Sequence, residues 1–306
     1  MDKKQKKLLV IGGTGFIGSH LCKNAIKKNY KVYSISMNLP KTYNKISTVK
    51  YYRCNILDTK KLKKILSNNF DYVVNLGGYI DHSSYNLNGK NIFDQHFFGL
   101  VNLINFLKRD KLKKFIHIGS SDEYGISKYP QNEKMKEKPF SAYSSAKVSS
   151  TRLLKSLYNS DNFPVVIIRL FLVYGPFQKD NRFLPFIIKS CLANKTFETT
   201  SGSQIRDFCY VDDVIEAIFI LLKSKKSNGE IFNVGSGKPI KIKNVIEYVV
   251  KIIGKGVPQF GKIKMRKNEN TSLYSNNYKI YQKTIWKPKI NIKSGLIKTI
   301  DFYKNL

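Results

Sequence analysis

The seven residues Gly12-Gly13-Thr14-Gly15-Phe16-Ile17-Gly18 constrain the fold more than any other stretch of the chain. They follow a short apolar run, Lys7 to Ile11, and precede an apolar helical pattern that continues to about Lys28. A strand, a glycine-rich turn and a helix start, in that order, form the context in which such spacing holds a dinucleotide. Gly12 makes the tight turn, Gly15 lets backbone approach the pyrophosphate, and Gly18 lets the helix pack on the strand. The helix start adds amide hydrogens and partial positive charge. Gly12, Gly15, Phe16, Ile17 and Gly18 are therefore the expected dinucleotide contacts.

The pattern then repeats. Lys31–Ser36 reads as a second strand, Val49–Arg53 as a third, Asp71–Asn75 as a fourth and Lys114–Ile118 as a fifth. A long helix is expected over about Ile92–Lys108. Strands alternating with helices predict an α/β fold with a Rossmann-type doubly wound parallel sheet, in which ligands bind beyond the carboxyl ends of the strands. At those ends stand Leu76-Gly77-Gly78, small enough to let a cofactor lie across, and Gly119-Ser120-Ser121-Asp122. An NAD site usually closes the second strand with a carboxylate for the ribose hydroxyls. Here Ser36 occupies that position, with Lys41 and Lys45 nearby. Nothing there repels a 2′-phosphate, so NADP(H) is expected over NAD(H).

Tyr143 and Lys147 are four residues apart in Tyr143-Ser144-Ser145-Ala146-Lys147, and a helix places both on one face. An ammonium beside a phenol favours the phenolate, so the tyrosine is expected to exchange a proton with a carbinol while hydride moves at carbon. Alone the tetrad is a weak signal, since Lys and Tyr are abundant; its weight comes from the upstream turn.

Beyond the apolar strand Pro164–Phe171, Gly, Pro and aromatic residues become more frequent and the alternation weakens. The expected division is a dinucleotide-binding domain over 1–171, with 204–234 returning to it, and a smaller substrate cap over 172–203 and 235–306. The formal net charge of +33 invites comparison with nucleic-acid binders. Only seven of the 54 basic residues are arginine, and the lysines spread along the whole chain. That distribution reads as solvated faces, with neither nucleic acid nor membrane as partner. The four cysteines show no metal-ligand spacing and no disulfide framework, so no metal is expected and the location is read as cytoplasmic. The charged start, Met1 to Lys7, runs into a buried strand rather than a signal peptide.

The stretches GGTGFIG, SSDEYG, YSSAK, RLFLVYGP, RDFCYVDD and FNVGSG stand in an order that resembles the extended short-chain dehydrogenases/reductases acting on nucleotide sugars. SSDEYG and RLFLVYGP look most similar to 4-ketoreductases of the CDP-abequose synthase type. The resemblance implies a catalytic set of Tyr143, Lys147 and Ser120, with Lys147 also binding the nicotinamide ribose. It places Ser36, Asn55, Ile56, Leu76 and Gly77 at the cofactor, and Ser121, Asp122, Arg206 and Arg266 at the substrate. It also implies a homodimer formed through two helices of each subunit. Dehydratases of this kind carry Asp-Glu directly after the catalytic hydroxyl, where this chain has Ser121-Asp122, followed by Glu123. Leu172 and His96 stand where Asn is common among such relatives. His96 reads as a helix residue with a satisfied ring nitrogen, and His20, His82 and His117 are assigned no chemistry. The expected reaction is NADPH-dependent reduction of the C4 ketone of a nucleotide-linked 4-keto-6-deoxyhexose. The alternatives are an NAD-dependent 4-epimerase or 4,6-dehydratase and, more remotely, a cofactor-binding regulatory protein without catalysis.

Overall fold

The structure is a computed structural model that describes residues 5–265 and 269–305. Its strands are β1 (Lys7–Ile11), β2 (Lys31–Ser36), β3 (Lys50–Arg53), β4 (Tyr72–Asn75), β5 (Lys114–Ser120), β6 (Val165–Leu170), β7 (Leu172–Tyr174), β8 (Thr196–Glu198), β9 (Ile205–Tyr210), β10 (Ile231–Val234), β11 (Pro239–Lys241), β12 (Val257–Gln259) and β13 (Ser272–Leu273). Seven of them form one sheet in the order β10-β6-β5-β4-β1-β2-β3. The pairs from β3 through β5 are parallel. Parallel strands buried on both faces read as continuous apolar runs, as β1, β4 and β6 do.

The strand order reverses between β1 and β4, where open α/β sheets place their ligands. Register sets the ends of β1 and β4 level, Ile11 pairing with Asn75, while Asn75 pairs with His117 and β5 runs on to Ser120. The turns after β1, β4 and β5 therefore leave one edge together.

Helices α1 (Phe16–Lys27) and α2 (Thr59–Leu66) follow β1 and β3. The helix expected over Ile92–Lys108 is part of a longer run. It comprises a π segment at Tyr85–Gly89, α3 (Lys90–Phe93), a second π segment at Asp94–Phe98, and α4 (Gly99–Phe106). Helix α5 (Ala142–Asp161) begins at a capping box. Ser141 Oγ accepts from the Ser144 amide at 3.1 Å, and Ser144 Oγ accepts from the Ser141 amide at 2.9 Å. It ends at Asn162 in the left-handed region, two residues before Pro164. Tyr143, Lys147, Thr151 and Leu154 form its buried stripe.

One core cluster joins Leu9, Ile11 and Val73 of the sheet to Leu62, Leu66, Leu100, Leu103 and Leu154 of the helices, with Phe70, Phe115 and Phe163 among them. Full burial of each such side chain contributes about 1.5–3 kcal/mol.

The chain divides into two compact units. The first is Met1–Gly125 with Glu137–Arg169 and Ile218–Phe232. The second is Ile126–Lys136 with Leu170–Ala217 and Asn233–Leu306. The returning segment is thus shorter than the 204–234 read from the sequence. Strand β9 pairs with β7 and β11 in a small sheet of the second unit, and α7 (Val211–Lys223, after α6 at Phe183–Leu192) crosses from one unit to the other. In the second unit Trp286 is buried and its Nε1 donates to the Asp213 carbonyl at 2.9 Å. Among the described residues no helix is long and apolar enough to cross a membrane, and no three His, Cys, Asp or Glu side chains group as metal ligands. All four cysteines are free and buried.

Candidate active site

Gly12 has φ +79°, and a Cβ on Gly18 would stand 2.1 Å from the Gly12 carbonyl oxygen. The turn therefore closes onto the helix only with glycine at 18. Gly15 caps α1 and supplies no side-chain hydrogen bond to its first amides. Those amides, at Phe16, Ile17 and Gly18, are left for an anion at the end of a twelve-residue helix. The turn fits a dinucleotide pyrophosphate on this ground.

Ser36 lies at the expected strand end, but its hydroxyl accepts from the Thr14 amide at 3.2 Å and so holds the turn in place. Asn55 Oδ1 accepts from the Leu57 amide at 3.0 Å, which shapes its own loop. Ile56 belongs to the buried core, where its Cδ1 would meet a Cβ on Gly99 or Gly77. The Leu76 amide donates to the Ile11 carbonyl at 3.0 Å, and the Leu76 carbonyl lies against Gly12. The Gly77 amide donates to Asn75 Oδ1 at 3.0 Å. Leu76 and Gly77 thereby join the ends of β1 and β4.

Lys147 Nζ donates to the Ile118 carbonyl at 2.8 Å. That bond ties α5 to β5 two residues before Ser120. The same ammonium lies 5.9 Å from the centre of the Tyr143 ring. Burial pushes Lys147 down to about 8, opposed by the negative charge of Glu123. Ser120 Oγ accepts from the Asp122 amide at 3.1 Å, which leaves its one hydroxyl hydrogen to donate to a ligand. Ser121 is buried beside it. Ser120, Tyr143 and Lys147, all read from the sequence, thus belong to one end of the first unit.

Two imidazoles bracket the tyrosine ring. His96 meets it edge-on with centroids 5.2 Å apart, and His82 does so at 5.6 Å. His96 Nε2 donates to the Tyr79 carbonyl at 2.8 Å, so its Nδ1 is the unprotonated nitrogen. Nε2 is thus the satisfied ring nitrogen, while Nδ1 is buried with no hydrogen-bond partner. Burial, reinforced by Lys147, lowers His96 to about 3 and keeps it neutral. A Cβ on Gly78 would stand 2.1 Å from the His96 ring, which explains the second glycine after β4. His117 is also buried and neutral, with its Nδ1 accepting from Asn75 Nδ2 at 3.2 Å.

His82 was given no role from the sequence, yet its Nε2 lies 3.7 Å from Asp122 Oδ2. The signal available was position: Tyr79-Ile80-Asp81-His82 follows the Leu76-Gly77-Gly78 turn that leaves the carboxyl end of β4. Asp81 fixes the loop by accepting from the Ser83 amide at 2.7 Å and from Asn88 at 2.6 Å, bonds that hold its carboxyl down at about 2. Glu123 is no free acid in this site. It is fully buried and paired with Arg169 at 2.9 Å.

Arg206 lies in the second unit with its fork already engaged: Nη2 pairs with Glu269 at 2.7 Å and Nη1 donates to the Ile205 carbonyl at 2.9 Å. Arg266 lies outside the described residues.

A glycine-turn dinucleotide cradle beside a serine, tyrosine and lysine set defines a nicotinamide-dependent oxidoreductase of the extended short-chain type. Residues 8–235 match the NAD dependent epimerase/dehydratase family, and the chain belongs to that family. It is 32% identical over 276 residues to dTDP-D-glucose 4,6-dehydratase of Dictyostelium discoideum, a match covering 81% of this chain. The chain spans 62% of the length of that relative. It superposes on UDP-glucuronic acid 4-epimerase from Bacillus cereus, solved with UDP-glucuronic acid and NAD, with a TM-score of 0.90 and 30% identity. That match covers 98% of this chain and 99% of the other. UDP-N-acetylglucosamine 4-epimerase from Methanobrevibacter ruminantium superposes with a TM-score of 0.90 at 25% identity, covering 99% of each chain.

Proposed function

We propose that the protein oxidises the C4 hydroxyl of a nucleotide-linked hexose with NAD and returns the hydride within the same turnover. The outcome is a 4-epimerisation or, where Asp122 and His82 also move protons, a 4,6-dehydration. The observation that carries this reading is the tie of Lys147 to the strand that delivers Ser120, with Tyr143 one turn away on the same helix face. A nicotinamide dinucleotide held by the Gly12–Gly18 turn would supply the hydride acceptor and donor. Tyr143 takes the C4 hydroxyl proton and restores it, the Lys147 ammonium stabilises the phenolate, and Ser120 donates to the sugar oxygen as it becomes a carbonyl. The relatives support redox-neutral chemistry: the Dictyostelium protein is a 4,6-dehydratase, and both superposed enzymes are 4-epimerases.

A second reading keeps the same residues and runs one way, as an NADPH-dependent 4-ketoreductase. It is favoured by the end of β2, where Ser36 stands without a carboxylate to oppose a 2′-phosphate. The two readings separate in one assay. Nucleotide hexoses on UDP, dTDP, GDP and CDP are incubated with the protein and followed by NMR, and 4-keto-6-deoxy sugars are offered with NADPH at 340 nm. Interconversion or a 4-keto product without cofactor consumption supports the first reading. Stoichiometric NADPH oxidation overturns it in favour of the second.

Pairing of two copies through two helices of each subunit, α5 and the run 85–106, is part of the same proposal. Leu87, Tyr85 and Phe98 on that run are 80%, 64% and 51% exposed, which supports it. A monomer by light scattering would overturn the pairing.

A further inference from the structure

Glu123 is fully buried next to Asp122, and the reaction proposed above gives it no step. Its Oε1 accepts from the Ser120 amide at 2.9 Å. Its Oε2 accepts from Thr151 Oγ1 and from Arg169 Nε, both at 2.9 Å. These donors come from three elements: the serine turn, α5 and β6. Thr151 lies four residues past Lys147 and eight past Tyr143, so the carboxylate grips the helix face that carries the reacting pair. A Cβ on Gly119 would stand 2.5 Å from Oε1, so the backbone before Ser120 has no room for another side chain. Behind Glu123, Arg169 also donates to Glu137 at 2.8 Å and lies over the Tyr124 ring at 4.6 Å.

We propose that Glu123 is the positioning residue of this active site: its one carboxylate fixes Ser120 relative to the Tyr143–Lys147 face of α5. The charged and titratable groups acting with Lys147 are consistent with this. His96 and His117 are neutral and buried, Tyr143 is on the same helix, and Glu123 is the group whose charge favours the ammonium. The inference rests on Tyr143 and Lys147 being the reacting pair.

The test is Glu123→Gln, which keeps the shape and removes the charge. Two readouts are needed. The first is the titration of Lys147, followed by the ¹³Cε resonance of labelled lysine and assigned by its loss in Lys147→Met. The second is kcat and KM for whichever nucleotide sugar the wild type turns over. The expected result is a Lys147 titration at least about half a unit lower than in the wild type. With it, kcat falls at least about tenfold while KM stays within about twofold. An unchanged titration and kcat in the folded variant overturn the inference. Absence of wild-type turnover on every nucleotide sugar would instead count against the proposed reaction, and the lysine titration then decides the role of Glu123 alone. Should Glu123→Gln fail to fold, Thr151→Val releases only the helix tie. It is expected to lower kcat several-fold with the Lys147 titration unmoved, and an unchanged kcat overturns the inference.

Discussion

The Lys147 ammonium donates to the Ile118 carbonyl at 2.8 Å, two residues before Ser120. A side chain bonded to the backbone of the neighbouring strand cannot follow solvent, and burial weakens its hold on a proton to about 8. The phenolate of Tyr143 needs that positive charge. Turnover is therefore expected to fall as pH rises above about 8, when Lys147 becomes neutral. Lys147→Arg keeps a charge through this range, and its residual activity should lack the limb. Stability moves the other way. Lys147 holds its proton less tightly folded than unfolded, so it weakens the fold below about 8 and the penalty fades as pH rises toward 10.5. A pH–rate profile of the two proteins, with melting temperatures across the same range, checks both signs.

Gly18→Ala places a Cβ 2.1 Å from the Gly12 carbonyl, a contact with backbone that cannot swing away. The turn must open or α1 must shift. Dinucleotide affinity is expected to fall at least about tenfold, since the phosphates depend on amides held in one geometry. Titration calorimetry with NAD and NADP reads this directly and ranks the two cofactors in the wild type.

Arg169 is fully buried, with Glu123 and Glu137 as its partners. Arg169→Met leaves the Glu123 carboxylate buried without its cation. The expected cost is about 3–5 kcal/mol of folding stability, read by denaturant unfolding. A loss below about 1 kcal/mol would mean that the pair carries no net weight.

His96 is expected to stay neutral, with its proton on Nε2, throughout about pH 5–8. Imidazole ¹⁵N spectra should show no titration of this residue in that window. Because its folded value of about 3 lies below the ordinary 6.5, the fold loses stability as pH falls below 6.5, where the unfolded chain takes up the proton.

Much of this arrangement was legible in the residues. The glycine spacing, the serine turn and the Tyr143–Lys147 tetrad each depend on local geometry: a turn, a strand end, one helix face. Those constraints are written within a few positions of each other. What escaped was set by distant packing. Ser36, expected at the cofactor, also accepts from the Thr14 amide across the turn, a bond that no local spacing announces. Glu123 was assigned no role, because its partner Arg169 lies 46 residues on. His82 and His96 converge on the Tyr143 ring from one loop and one helical run, and no spacing in the sequence links either of them to position 143. The helix expected from Ile92 begins earlier, with a π segment at Tyr85–Gly89 and a second inside it at Asp94–Phe98, and neither start carries a Gly or Pro signal.

The central claim is that the Tyr143 phenol exchanges the proton at the sugar oxygen. Tyr143→Phe keeps the ring between His82 and His96 and removes only the hydroxyl. With a nucleotide sugar that the wild type converts, the variant is expected to lose at least about a hundredfold in kcat while binding NAD with unchanged affinity. Turnover within a few-fold of the wild type would contradict the account.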